Sequence, residues 1–174
     1  MKLTDSREIA AAPAIVWQAI LDPEVLKECI PGCQSLTGSV AEGYEAVVKQ
    51  KVGPVSATFT GIVSLSDIVE GQSVKISGEG KGGVAGFAKG GAVVTLAPSG
   101  EGTLLTYDVD ASVGGKIAQL GSRIIDSFAK KMADDFFSRF QAAVEGPAEE
   151  PAAEEGVADS GEKKKGWFKR LTGG

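Results

Sequence analysis

The strongest constraint on the fold is a change in the spacing of apolar residues near residue 115. Between residues 36 and 113 apolar and polar side chains alternate, as in YEAVVKQKV and TLLTYDVDASV. This period of two predicts a series of antiparallel strands with one apolar face. After Gly114-Gly115 the apolar residues recur every three or four positions. That spacing predicts an amphipathic helix of nearly 30 residues, ending before Gly146-Pro147.

Shorter elements precede the sheet. A strand is predicted at about residues 2–9, and Pro13 opens a short helix at the position where proline is best tolerated. Asp22 is a predicted N-cap of a second short helix, which ends at the turn sequence CIPGC. A long amphipathic helix that follows a one-sided sheet packs across its apolar face. We therefore predict an α+β fold of six or seven antiparallel strands, one long C-terminal helix and two short helices near the N-terminus.

Composition excludes several kinds of chemistry. The 174-residue chain has no histidine and two cysteines, Cys29 and Cys33. Histidine-dependent nucleophilic sites and histidine-ligated zinc are therefore excluded, and we predict no catalytic residue and no metal. The cysteines are interpreted as small packing groups, because no histidine can lower their pKa. The net charge of −5 argues against nucleic acid. The polar start and the absence of a long apolar run predict a cytoplasmic protein.

Charge divides the chain into three predicted parts. Residues 1–145 form the folded domain, residues 146–162 an acidic disordered linker, and residues 163–174 a basic, aromatic tail. The tail is predicted to bind the membrane surface, since tryptophan prefers the interface and each cation contributes about 1 kcal/mol at an anionic leaflet. An acidic protein partner and a merely solvated end are the alternatives. The residues predicted to bind the membrane are Lys163, Lys164, Lys165, Trp167, Phe168, Lys169, Arg170 and Leu171.

The predicted apolar face of the sheet contains many small residues. Glycine and alanine fall on the inward phase at Gly61, Gly78, Gly80, Ala46, Ala57 and Ala111. Either large helix residues such as Phe128, Met132 and Phe136 fill this space, or a ligand cavity of a few hundred Å³ lies there. The G-x-G-x-x-G pattern that begins at Gly78 is not a nucleotide site, because no helix follows to hold a pyrophosphate.

Three segments carry a resemblance to a known family: CIPGC, GKGGVAGFAKGGAVVTL and GGKIAQLGSRIID. With them, residues 1–145 resemble the CoxG family of carbon monoxide dehydrogenase subunits, which belongs to the START-like, Bet v 1-like (SRPBCC) superfamily. The resemblance implies a helix-grip fold, in which a curved antiparallel sheet wraps around the long helix and holds apolar ligands. It also implies association with molybdenum-containing CO dehydrogenases at the cytoplasmic membrane and handling of the respiratory quinone. The segment matched to the cavity mouth comprises Cys29, Ile30, Pro31, Gly32 and Cys33.

These observations together predict a non-catalytic carrier, peripheral on the inner face of the cell membrane. It would bind a respiratory quinone (menaquinone or ubiquinone) or a similar isoprenoid lipid for a CO dehydrogenase-type molybdenum hydroxylase. The alternative is a recruitment or assembly factor without a functional cavity; a small hydrolase or cyclase is weaker still, for want of inward acids and bases. The predicted cavity residues are Phe59, Phe87, Tyr107, Leu120, Ile124, Phe128, Met132 and Gln50, with Gln50 as the polar contact to the quinone head.

Overall fold

A computed structural model describes residues 1–146 of the chain. Residues 147–174, which include nearly all of the predicted linker and the whole predicted tail, lie outside this range. Seven antiparallel strands form one sheet in the order β1-β7-β6-β5-β4-β3-β2. The strands are β1 (Lys2–Ile9), β2 (Cys33–Ser39), β3 (Gly43–Val52), β4 (Val55–Val69), β5 (Ser73–Lys81), β6 (Phe87–Ser99) and β7 (Gly102–Gly114). The predicted strand count and antiparallel pairing are confirmed.

Two short helices bridge the edge strands of the sheet. Helix α1 (Pro13–Leu21) begins with proline in its first turn, and α2 (Pro23–Cys29) follows after a single residue. The Asp22 side chain accepts a hydrogen bond from the backbone N–H of Glu24, as expected of an N-cap. Helix α1 buries Val16, Trp17 and Ile20 against the rest of the domain. Both predicted short helices are therefore confirmed.

The long C-terminal helix is shorter than the sequence predicts. Helix α3 (Ser122–Glu145) has 24 residues, and the preceding segment Lys116–Leu120 forms a separate 3₁₀ turn. Gly121 separates the two, with a φ of +94°, a conformation that glycine adopts without steric cost and a helix interior does not contain. The prediction of one continuous helix from residue 116 is therefore wrong. The interruption removes residues 116–121 from the helix, which matters for the cavity described below.

The buried core is divided into two clusters at opposite ends of the sheet. The larger one packs α1, α2 and the C-terminal half of α3 on the sheet, and includes the fully buried Leu105 and Phe140. Within it the rings of Tyr107 and Phe137 stack with their centroids 4.9 Å apart. The smaller cluster is built on Val52, Ala85 and Ile117. Between the two clusters, the sheet curves around the middle of α3.

Candidate ligand-binding cavity

A cavity of about 590 Å³ lies between α3 and the concave face of the sheet. One face of α3 forms its roof, and alternate residues of the strands form its floor, as the period of two requires. Ile30 and Pro31, just after α2, complete the wall on the side of β2 and β3. The residues that α3 contributes are Ile125, Phe128, Ala129, Met132, Ala133, Phe136 and Phe137.

Small residues on the sheet keep this space open. Ala88 and Ala92 of β6 and Ala111 of β7 lie in the floor directly below the helix. Their methyl groups leave a gap that the side chains of α3 do not close. Of the two interpretations of the thin sheet, the structure therefore favours the cavity. Phe128, Met132 and Phe136 line the space and do not fill it.

A smaller hollow of about 220 Å³ adjoins the main cavity. Its own walls include Gln50, Val52, Phe59 and Ile117. The two hollows share five wall residues, so only side chains divide them. The shared residues are Val48, Ala88, Val113, Ile125 and Phe128. Together they form one apolar space that runs along the helix toward the smaller core cluster.

Gln50 is the polar side chain in the wall of the smaller hollow. Its Nε2 donates a hydrogen bond to the carbonyl oxygen of Pro31 and lies 3.9 Å from the Sδ of Met132. One position earlier, the backbone N–H of Lys49 donates to the carbonyl oxygen of Gly32 at 2.9 Å. These two bonds fasten the Cys29–Cys33 segment to β3. Gln50 therefore holds the wall in place, and the second hydrogen of its amide nitrogen meets only the weakly accepting sulfur of Met132.

The five residues predicted at the cavity mouth occupy different environments. Ile30 and Pro31 line the cavity, whereas Cys29 is buried in the larger core cluster and Cys33 begins β2. Gly32 has a φ of +76°, and a Cβ placed on it would lie 2.1 Å from the carbonyl oxygen of Lys49. Burial raises the pKa of both thiols, so neither has the lowered pKa of a catalytic cysteine.

The structure brings five of the eight predicted cavity residues to the apolar space and excludes three. Tyr107 and Met132 line the main cavity, Gln50 and Phe59 line the smaller hollow, and Phe128 lines both. Phe87, Leu120 and Ile124 line neither hollow.

The positions of these three residues outside both hollows have identifiable structural reasons. Phe87 is the first residue of β6 and is partly exposed, and alternation along the strand gives the inward position to Ala88. Leu120 lies in the 3₁₀ turn that the sequence pattern assigned to the helix. Ile124 lies in the first turn of α3 and packs beside Gly53 of the β3–β4 turn, whereas its neighbour Ile125 faces the cavity. Ala129 and Ala133, missed in the sequence, lie one position C-terminal to Phe128 and Met132.

An ion pair joins β1 to α3 beside Phe137, which lines the cavity. The guanidinium of Arg7 donates to Asp134 at 2.5 Å and lies 5.3 Å from the centroid of the Phe137 ring. Lys130, four residues before Asp134 on α3, also donates to it at 3.0 Å. The hydrogen bonds from Lys130 and Arg7 lower the pKa of the Asp134 carboxyl.

Two kinds of site are absent from the part of the chain that the structure describes. Within residues 1–146, no three cysteine, aspartate or glutamate side chains are grouped as a metal site would require. In the same range, no helix has the length and apolar character needed to cross a membrane.

The fold and the cavity define a helix-grip domain of the Bet v 1-like class. Residues 6–145 match the profile of CoxG, a family of carbon monoxide dehydrogenase subunits, and the chain belongs to this family. The resemblance seen in the sequence is thereby confirmed. The family is one of accessory subunits, in agreement with a role other than catalysis.

Solved structures show the same fold. A conserved protein from Geobacillus kaustophilus is 32% identical, with a TM-score of 0.77, over 83% of this chain and 95% of that one. A protein from Chromobacterium violaceum is 19% identical, with a TM-score of 0.63, over 83% and 97% of the two chains. Ara h 8.0201 is 12% identical, with a TM-score of 0.57, over 83% and 97%. Among curated proteins, no sequence match is found.

Proposed function

We propose that this protein is a non-catalytic carrier of a respiratory quinone, menaquinone or ubiquinone, or of a similar isoprenoid lipid. It would hold the ligand between α3 and the sheet and serve a molybdenum-containing hydroxylase of the CO dehydrogenase type at the inner face of the cell membrane. The observation that carries the proposal is the apolar cavity of about 590 Å³. Membership of the CoxG family supports the choice of enzyme partner.

The volume of the cavity suits part of a quinone. Benzene fits an engineered cavity of about 150 Å³, which corresponds to roughly 25 Å³ for each carbon atom. On that scale a space of 590 Å³ holds about two dozen atoms, which is a quinone head group and about two isoprene units. The remainder of a longer isoprenoid chain would extend into the smaller hollow or out of the domain.

The cavity wall also suits a quinone chemically. An isoprenoid chain requires apolar contacts, which Phe128, Met132 and Phe136 on α3 provide. A quinone carbonyl requires a hydrogen-bond donor, and Gln50 is the predicted one. After the bond to Pro31, its second amide hydrogen meets only the thioether of Met132, a weak acceptor that a quinone carbonyl would replace. A carrier needs no catalytic group, which agrees with the raised pKa of both thiols.

The membrane part of the proposal depends on the tail, residues 163–174. An isoprenoid quinone is insoluble in water, so a soluble enzyme needs a protein that takes it from the bilayer and shields it. A basic tail that contains Trp167 and Phe168 would keep the carrier at the membrane reversibly. The acidic linker would let the folded domain move between the lipid surface and the enzyme.

Native mass spectrometry of the full-length protein tests the proposal. After removal of bound lipid, the protein is incubated in detergent with a menaquinone of four isoprene units, and separately with a saturated phospholipid. We expect one menaquinone for each chain and no stable phospholipid complex. A protein that binds no quinone but still brings the hydroxylase to liposomes would refute the carrier and establish the recruitment factor.

A further inference from the structure

Three connections meet at one end of the sheet. They are the β3–β4 turn at residues 53–54, the β5–β6 loop at 82–86, and the β7–α3 connection at 115–121. The loop and the connection touch, since a Cβ placed on Gly115 would lie 2.5 Å from the Cα of Gly86. Gly53 similarly lies close to Leu120 and Ile124. We call this continuous surface, formed by residues 51–54, 81–87 and 115–124, the basic end.

Charge distinguishes the basic end from the opposite end of the sheet. Each of its three connections is flanked by an exposed lysine: Lys51, Lys81 and Lys116. None of these lysines forms an ion pair within the described residues. The basic end contains four basic residues, the three lysines and Arg123, and no acidic one; Glu79 and Asp126 lie two positions outside its ranges. At the other end, which we call the acidic end, each hairpin turn carries a glutamate: Glu42, Glu70 and Glu101.

The basic end also exposes apolar side chains. Val84, at the tip of the 82–86 loop, is 92% exposed, and Phe87 and Ile124 are 41% and 38% exposed. Two of these three are the residues that the sequence placed in the cavity. The ring of Phe87 rests on Gly114, where an added Cβ would lie 2.4 Å from Cε1 of the ring. A protruding aliphatic group beside an aromatic ring and exposed lysines suits the interface of an anionic bilayer.

The charge of the exposed side chains determines which end of the sheet can bind an anionic bilayer. The acidic end exposes Val40, Ile68 and Val69, but they lie beside Glu42 and Glu70, which an anionic surface repels. The position of the smaller hollow agrees with this choice. Its walls include Val52 and Ile117, which are also members of the core cluster directly inside the basic end.

We infer that the basic end docks on an anionic phospholipid bilayer, and that an apolar ligand passes between the lipid and the main cavity through the smaller hollow. The passage of a ligand rests on the proposed function, whereas the docking does not. The tail would set how much protein is at the membrane, and the basic end would set how the folded domain is oriented there.

Hydrogen–deuterium exchange of the full-length protein tests the docking. Vesicles of phosphatidylglycerol and phosphatidylcholine are compared with vesicles of phosphatidylcholine alone. We expect anionic vesicles to slow exchange in residues 81–87 and 115–121 and to leave the three turns of the acidic end unchanged. Slowed exchange in those turns, or no change at either end, overturns the inference. Protection by the hydroxylase in place of the vesicles would also overturn it, because the surface would then bind protein.

Variants of the full-length protein test the passage. Val84→Asp and Lys81→Gln are compared with Ile62→Asp, since Ile62 is 64% exposed but pairs across the strands with Glu45 and Glu79. We expect Lys81→Gln to slow menaquinone extraction from anionic vesicles about fivefold. Val84→Asp should slow it more, and Ile62→Asp should leave it unchanged. Equal losses for Val84→Asp and Ile62→Asp overturn the inference.

A further measurement separates this inference from the proposed function. Uptake of menaquinone from detergent solution requires the cavity but no bilayer, so Val84→Asp should take it up as the unchanged protein does. Loss of that uptake in Val84→Asp would overturn a purely docking role for the loop. A protein that binds no menaquinone, yet shows the vesicle protection at 81–87, would refute the carrier and support the docking.

Discussion

Replacement of Ala129 by tryptophan tests whether the space beneath α3 is open. Ala129 lies on the face of the helix that roofs the cavity. The substitution adds about nine non-hydrogen atoms, or roughly 200 Å³ at the density of a ligand in an apolar cavity. That is about a third of the 590 Å³ present, so the indole fits while the volume left is too small for a quinone head with two isoprene units.

The sign of the change in the free energy of unfolding of Ala129→Trp distinguishes an open cavity from a filled interior. In an open cavity, burial of a large aromatic side chain stabilises by roughly 1.5–3 kcal/mol. The lower helix propensity of tryptophan subtracts about 0.5 kcal/mol, so Ala129→Trp is expected to raise the free energy of unfolding by about 1–2.5 kcal/mol. In a filled interior the same substitution would overpack the core and cost about 1–3 kcal/mol.

Urea unfolding of the ligand-free protein measures this difference, with Ala143→Trp as the control. Ala143 is on the exposed side of the same helix, so its substitution should cost only the helix-propensity difference of about 0.5 kcal/mol. A menaquinone titration should show binding at least tenfold weaker in Ala129→Trp and unchanged in Ala143→Trp. Destabilisation of Ala129→Trp by more than about 1 kcal/mol relative to the control, or undiminished quinone binding, would refute the reasoning.

Four other perturbations follow from the same structure and sequence. Deletion of residues 163–174 should abolish flotation with anionic liposomes without changing thermal unfolding, because the tail's five cations contribute about 5 kcal/mol and the three lysines of the basic end only about 3; equal flotation would contradict this. Gly32→Ala should lower the free energy of unfolding by about 1–3 kcal/mol more than Gly71→Ala, since both have positive φ but only Gly32 faces a carbonyl oxygen at 2.1 Å; equal urea midpoints would exclude the clash. Asp134 has a lowered folded-state pKa, so its stabilisation is present above the ordinary value of 3.8 and is lost as the pH falls through the lowered value. Asp134→Asn should therefore flatten the acid decline in urea-measured stability below about pH 4, and an unchanged slope would contradict the pKa. Phe140→Ala, at a fully buried position, should cost about 3–5 kcal/mol in the same assay, and a loss below about 1 kcal/mol would place Phe140 outside the core.

Much of the sheet could be predicted because its pattern is local. Alternation along each strand assigns inward residues without knowledge of the neighbouring strand, and Tyr44, Val74 and Leu105 are buried as that pattern requires. The first short helix is equally local, since Pro13 marks its start. The curvature of the sheet depends on several strands together and was expected only from the family resemblance. The resemblance also favoured the cavity, which the small residues of the sheet had left as one of two alternatives.

The errors arose where glycine decides the backbone conformation. The apolar spacing continues from Ile117 through Ile124, so the pattern alone does not reveal that Gly121 interrupts the helix. A positive φ at that glycine separates the 3₁₀ turn that contains Leu120 from α3, so Leu120 is not on the helix that roofs the cavity. The glycines before and after Phe87 likewise interrupt the alternation from which the inward position of Ala88 could have been predicted. Periodicity could not detect either change, because it records which residues are apolar and not where the chain rotates.

Contacts between distant parts of the chain were also outside the reach of the sequence. Arg7 and Asp134 are 127 positions apart, and only the packing of α3 against β1 brings them together. The difference in charge between the two ends of the sheet, by contrast, follows from the order of the hairpins along the chain. Successive turns of an antiparallel meander alternate between the two ends of a sheet, so Glu42, Glu70 and Glu101 necessarily share one end once the strands are assigned.

The division of the core explains how the domain can contain an open space and remain folded. The larger cluster holds the C-terminal half of α3 through Phe137 and Phe140, and the smaller one holds the chain just before it through Ile117. The intervening residues of the helix, including Phe128, border the cavity and contribute less to either cluster. Stability and ligand binding therefore depend on overlapping parts of one helix, since Phe137 belongs to the larger cluster and also lines the cavity. Because a ligand that binds only the folded state adds stability, about 2.7 kcal/mol at a hundred times its Kd, occupation of the cavity would supply the contacts that the small residues of the sheet omit.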